Sequence, residues 1–97
     1  MIYLSGKITD VSKEKELLNM EIFNKVEREL KAQGYEVFNP VIYEIDGGTW
    51  EYYLARDLQW IATNKPDIYV LPNWRESKGA RLEVEFAYLL GLKILNK

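Results

Sequence analysis

The chain has no cysteine and no histidine among its 97 residues. Disulfides and thiol nucleophiles are therefore excluded, along with the usual zinc ligand sets and the commonest general base. Proton transfer falls to carboxylates, tyrosines or lysines, and neither a metal nor a cofactor is expected. No apolar run approaches the ~20 residues that a membrane-spanning helix needs, and no signal peptide opens the chain. The expectation is a cytoplasmic protein with no membrane partner. Basic runs are missing as well. The formal charge is −2, with lysines and arginines scattered, which disfavours a nucleic acid polymer as partner. There is no low-complexity tract, and this length fits one domain, residues 1–97, with a single modest core.

What is present centres on Ser77-Lys78-Gly79-Ala80-Arg81-Leu82-Glu83-Val84-Glu85-Phe86-Ala87. The short apolar run Ile68-Tyr69-Val70-Leu71 precedes it, closed by Pro72. Together these predict a strand, a loop and a helix from about Gly79 to Leu90, stopped by Gly91. Leu82, Phe86, Leu89 and Leu90 recur at helical spacing and predict the face that lies on a sheet. Glu83 sits with Gly79 and Ala87 along the edge of that face, whereas Arg81 and Glu85 project into solvent. An acid set against apolar surface is paired or used. Near a helix start its ionised form gains ~0.3–1 kcal/mol from the macrodipole. Glu83 is thus a candidate nucleophile or electrostatic stabiliser. The plainer alternative is an acid that complements its own helix terminus.

Met1 to Leu4 reads as a buried strand, broken by Ser5-Gly6-Lys7. A small-residue loop after the first strand lets backbone N–H groups approach an anion, or is a plain turn. From Ser12, an apt N-cap, Leu18, Ile22, Val26 and Leu30 step by four, with Phe23 beside them, toward a stop at Gly34. Tyr35 to Phe38 predicts a second strand, and Asp46-Gly47-Gly48 a turn. A second helix spans about Thr49 to Thr63, with Trp50, Tyr53, Leu54, Leu58 and Ile61 as its apolar stripe. Asp57 falls inside that stripe and is a second inward-pointing acid. Lys65-Pro66 closes this helix. Asp67 begins the third strand, ~13 Å from the Ser77 loop at ~3.3 Å per residue, and is read as structural. Leu92 to Leu95 supplies a fourth strand.

Strands alternating with helices predict an α/β fold of the three-layer, flavodoxin- or Rossmann-like kind, with a four-stranded parallel sheet in the order 2-1-3-4. Ligands in such sheets bind beyond the carboxyl ends of the strands, at the switch point between strands one and three. Ser5-Gly6-Lys7 and the Pro72 to Gly79 segment meet at that rim, beside Glu83.

Three pieces carry a family resemblance: Tyr3-Leu4-Ser5-Gly6, then Arg56-Asp57-Leu58-Gln59-Trp60-Ile61 leading to Asp67, and Ser77-Lys78-Gly79 followed by Leu82-Glu83 and Ala87. In these the chain resembles the nucleoside 2-deoxyribosyltransferase superfamily, in particular its small phage and bacterial members. The resemblance implies that Glu83 attacks the anomeric carbon of a 2′-deoxynucleoside or its 5′-monophosphate. It further implies that Asp57 binds and protonates the base and that Tyr3 orients the nucleophile. Ser77, with nearby backbone N–H groups, would receive a phosphate, so Ser5, Gly6, Lys7, Ser77 and Gly79 become the expected substrate- or phosphate-binding set. Cleaving an N-glycosidic bond passes through a cationic sugar, and a facing carboxylate plus a proton donor solves that problem in retaining glycosidases.

Glu85 and Arg81 depart from the family's pattern at positions usually glycine and small. The alternative to an enzyme is therefore a catalytically inactive module that binds a nucleotide. Either way the expected partner is a small-molecule nucleoside or nucleotide. The aromatics Tyr43, Tyr52, Trp60, Trp74 and Tyr88 suggest a homo-oligomer interface, or else ordinary packing.

Overall fold

Alternation along the first strand sorts the molecule into layers. A computed structural model describes residues 1–43 and 48–97, the side chains of Ile42 and Tyr43 apart. The elements follow as β1 (Ile2–Ser5), α1 (Lys13–Ala32), β2 (Val37–Phe38), α2 (Trp50–Asn64), β3 (Asp67–Val70), α3 (Lys78–Leu89) and β4 (Ile94–Leu95). Short 3-10 turns lie at Pro40–Tyr43 and Trp74–Glu76. The strands form one parallel sheet in the order β2-β1-β3-β4, as expected. β1 is central and pairs with β3 from Ile2↔Asp67 to Ser5↔Val70.

Successive side chains of a strand point to opposite faces. Ile2 and Leu4 therefore join Phe23, Leu30 and Leu71 in one apolar layer, beneath α1. Tyr3 joins Ile61, Ile68, Val70, Val84 and Ala87 in the other, beneath α2 and α3. Burying one such aliphatic or aromatic side chain fully contributes ~1.5–3 kcal/mol. The result is a three-layer α/β fold.

Each helix begins on a hydroxyl cap. The side chains of Ser12, Thr49 and Ser77 accept from the backbone N–H of Lys15, Tyr52 and Ala80, and each such cap stabilises by ~1 kcal/mol. Beyond α1, Gly34 takes a left-handed conformation (φ 95°) and so ends the helix where expected. Lys65 closes α2 in the same region, at φ 49°.

Two helix faces differ from the periodicity-based expectation. In α3 the buried residues are Ala80, Glu83, Val84 and Ala87, whereas Leu82, Leu89 and Leu90 are exposed and Phe86 is half-buried. Small alanines let α3 sit close to the sheet, and that seat places Glu83 at the centre of the face instead of its edge. In α1 the buried residues are Asn19, Phe23 and Leu30, with Ile22 and Val26 on the flank and Leu18 exposed. Asn19 turns inward because its amide has partners there, donating to Ile8 O and Asp10 Oδ2.

β2 and β4 are shorter than expected, and the first two residues of the Asp46-Gly47-Gly48 turn lie outside the described residues. Of the aromatics, Trp74 is buried and Trp60 half-buried, while Tyr52 and Tyr88 are exposed; the Tyr43 side chain is outside the description. Among the described residues no helix is long and apolar enough to cross a membrane.

Candidate functional site

The acid that the α3 seat carries inward meets the half of β1 that alternates toward α2 and α3. Tyr3 and Ser5 stand two apart on the same face of that strand. The Tyr3 hydroxyl donates to Glu83 Oε2 at 2.9 Å, and the Ser5 hydroxyl donates to Glu83 Oε1 at 2.8 Å. Both oxygens of one buried carboxyl are thereby fixed by donors from the sheet. Tyr3 is itself immobilised, its ring stacked on Phe38 at 5.5 Å and tilted against Trp60 at 5.8 Å.

Asp57 reaches the same place from α2. It is buried on the helix face that ends at Ile61, and its Oδ1 accepts from Arg56 Nε at 3.0 Å and meets Arg56 Nη2 at 2.9 Å. The Arg56 guanidinium also lies 5.1 Å from the centre of the Tyr53 ring. Asp57 and Glu83 both line a cavity of about 420 Å³, which opens beyond the carboxyl ends of β1 and β3. Two acids from different helices thus share one hollow, and the ion pair with Arg56 does not close it.

Electrostatics separates their roles. Burial pushes the Glu83 carboxyl up to about 8, and the charge of Asp57 adds to the rise, while the hydrogen bonds from Ser5 and Tyr3 oppose it. Asp57 is also raised by burial, with Arg56 pulling the other way. Burial and then the two carboxyls hold the Tyr3 phenol well above its usual range, so Tyr3 stays a donor. The two carboxyls influence each other's titration and so titrate as a pair, with Glu83 keeping its proton into the neutral range.

The remaining expected residues divide. Gly6, Lys7, Ser77 and Gly79 line the cavity. Ser5 does not: its hydroxyl is committed to Glu83, so it orients an acid where contact with a ligand's phosphate was expected. The Ser77 hydroxyl accepts from Ala80 N at 3.1 Å and caps α3. The Lys7 ammonium lies 3.6 Å from both Asp10 and Glu76. Gly6 is required by proximity, since a Cβ there would sit 2.9 Å from Leu71 Cβ. Asp67 pairs with Ile2 at the opposite end of the strand from Ser5, away from the site. Arg81 and Glu85 are exposed.

Two further residues, Asn73 and Asn19, were not expected at the site from the sequence. Asn73 Oδ1 accepts from Lys7 N at 3.1 Å, and Asn73 Nδ2 donates to Asn19 Oδ1 at 3.4 Å. With the Asn19 bonds to Ile8 and Asp10, these amides hold the Gly6 to Asp10 loop that forms one wall of the cavity. The available signal was Asn19 beside Phe23 on an otherwise apolar helix face, the same anomaly that marked Asp57.

No curated protein and no solved structure matches the chain. A family model does match, over residues 1–96, and the chain therefore belongs to the family described as a domain of unknown function, DUF4406.

Proposed function

We propose that this pocket cleaves or exchanges the N-glycosidic bond of a 2′-deoxynucleoside or its 5′-monophosphate, with Glu83 as nucleophile. One observation carries the proposal: a carboxyl gripped at both oxygens by Tyr3 and Ser5 stands beside a second carboxyl at the wall of one cavity. The motif resemblance supports the substrate class.

The chemistry asks for one acid and one nucleophile, and a pair sharing one proton supplies both. Glu83 Oε attacks the anomeric carbon as the bond to the base breaks, and the bonding electrons leave with the base nitrogen. The shared proton passes through Asp57 to that base. Donation from Tyr3 and Ser5 favours ionised Glu83 once the proton has moved, because hydrogen bonds to the charged form stabilise it. Water, or the nitrogen of a second base, then attacks the anomeric carbon. The bond from the sugar to Glu83 Oε breaks to return the carboxylate, and the proton of the incoming nucleophile passes to Asp57.

Incubation with deoxynucleosides and their 5′-monophosphates, followed by chromatography of free base, tests this. Base release should be lost in Glu83→Ala. Background release by the wild-type chain across the whole panel removes the catalytic proposal. A second reading, a binding module without chemistry, is favoured by the elevated Glu83 value, since a neutral carboxyl is not a nucleophile. Saturable nucleotide binding without turnover is its signature.

A further inference from the structure

The mouth of the cavity holds a pair of side chains that the acid chemistry leaves unused. Trp50 opens α2 and Lys78 opens α3. Both line the cavity, and the Lys78 ammonium lies 5.0 Å from the centre of the Trp50 ring. The indole leans across the start of α3, with Nε1 3.5 Å from the position a Cβ on Gly79 would occupy. Even so, Trp50 remains 42% exposed.

The two lysines at this mouth are in different electrostatic states. Lys7 is already flanked by the carboxylates of Asp10 and Glu76. Lys78, among the described residues, has no carboxylate within ion-pair reach, and its charge rests on an aromatic face. A cation on a ring is held more weakly than one in charge-assisted hydrogen bonds to an oxyanion, so Lys78 is free to exchange partners. The vacated ring is a flat surface of the kind on which planar ligands stack.

We propose that Trp50 and Lys78 form an exchange latch selective for a planar aromatic ligand that carries an anion. The ligand's ring takes the Trp50 face, and Lys78 turns to the anionic group. Resting on the function proposed above, this narrows the ligand class to a nucleoside monophosphate in preference to the free nucleoside. It assigns that preference to Lys78 and not to Lys7. Lys78 acts in recognition and takes no part in bond cleavage.

Tryptophan fluorescence of Glu83→Gln, titrated with deoxynucleoside 5′-monophosphates, the matching deoxynucleosides and inorganic phosphate, tests the latch without turnover. The monophosphate should bind roughly tenfold or more tighter than either of the others, with a quench that disappears in Trp50→Phe. Adding Lys78→Met should bring monophosphate affinity down to that of the nucleoside, whereas Lys93→Met, at an exposed lysine outside the cavity lining, should leave the ratio in place. Lys78 and Trp50 are exposed, so these variants should fold, and circular dichroism checks that they do. A monophosphate preference indifferent to Lys78→Met overturns the latch, as does a quench that survives Trp50→Phe or an absence of saturable monophosphate binding. Loss of the catalytic reading is separable: wild-type protein that binds with this preference but releases no base keeps the latch and discards the chemistry. Base release with a preference insensitive to Lys78 does the reverse.

Discussion

Tyr3 and Glu83, 80 positions apart in the chain, are joined by a buried hydrogen bond of 2.9 Å from phenol to carboxyl. The bond ties the central strand to the last helix at the wall of the cavity. It is also one of the few influences that favour a charged Glu83 against burial and the facing Asp57.

Tyr3→Phe keeps the ring that stacks on Phe38 and removes only that donor. Hydrogen bonds to charged groups are worth ~1.5–3 kcal/mol, so base release should fall by roughly 10- to 100-fold through loss of nucleophile ionisation. The Glu83 carboxyl should titrate higher still. Carbon-13 NMR of labelled glutamate across a pH series measures this directly, and an unchanged Glu83 titration contradicts the assignment.

Stability should fall as pH rises from about 5 to 8.5. The Glu83 carboxyl is raised from 4.5 to about 8 in the folded chain, so the folded state binds more protons than the unfolded state throughout that window. This contribution is fully present below the unfolded value and is lost as pH climbs through the folded one, by on the order of a few kcal/mol. Asp57, also raised, adds with the same sign. Asp10 and Glu27 are lowered, so their opposite contribution is lost only below the ordinary carboxylate range. Urea midpoints at the two pH values should differ for wild type and differ much less for Glu83→Gln. Equal slopes in the two proteins refute the prediction.

The pH profile of base release should be bell-shaped, with its falling limb near 8, where the pair loses the proton owed to the leaving base. In Asp57→Asn that limb should shift, because the charge that helps raise Glu83 is gone. A profile flat from pH 6 to 9 would show that no shared proton is used.

Asn73→Ala removes the acceptor for Lys7 N. It should cost about 1 kcal/mol for the lost part-buried bond. The Lys7 amide should lose its hydrogen-exchange protection, and ligand affinity should drop because the Gly6 to Asp10 wall loosens. Gly6→Ala attacks the same wall by overpacking against Leu71 and should cost ~1–3 kcal/mol in thermal or chemical unfolding.

Sheet order was legible because short apolar runs alternate with helical periods, and a chain this small leaves few parallel arrangements. Asp57 was legible because it is an acid that its apolar stripe cannot turn out. Glu83 was expected at the edge of a leucine stripe that is exposed, and it is buried because Ala80, Val84 and Ala87 face the sheet. The faces of α1 and α3 were not legible, since a periodicity argument weights leucine above alanine and asparagine. In α3 the small residues Ala80 and Ala87 win the sheet side by allowing close approach, and in α1 Asn19 wins it by satisfying the loop. Ser5 looked like loop but is the last residue of β1, and its hydroxyl finds a partner 78 positions away. Asn73 gave no local signal at all, because its amide acts on Lys7, 66 positions distant.

Neighbouring residues of β1 answer to different layers, and this separates two tasks within a single tetrapeptide. Ile2 and Leu4 serve packing under α1, while Tyr3 and Ser5 serve the acid. Substitution at position 5 should therefore change the setting of the acid with the layer under α1 undisturbed. Substitution at 3 should change both the acid and the packing under α2 and α3, and substitution at 2 and 4 should change foldedness with the reacting groups retained.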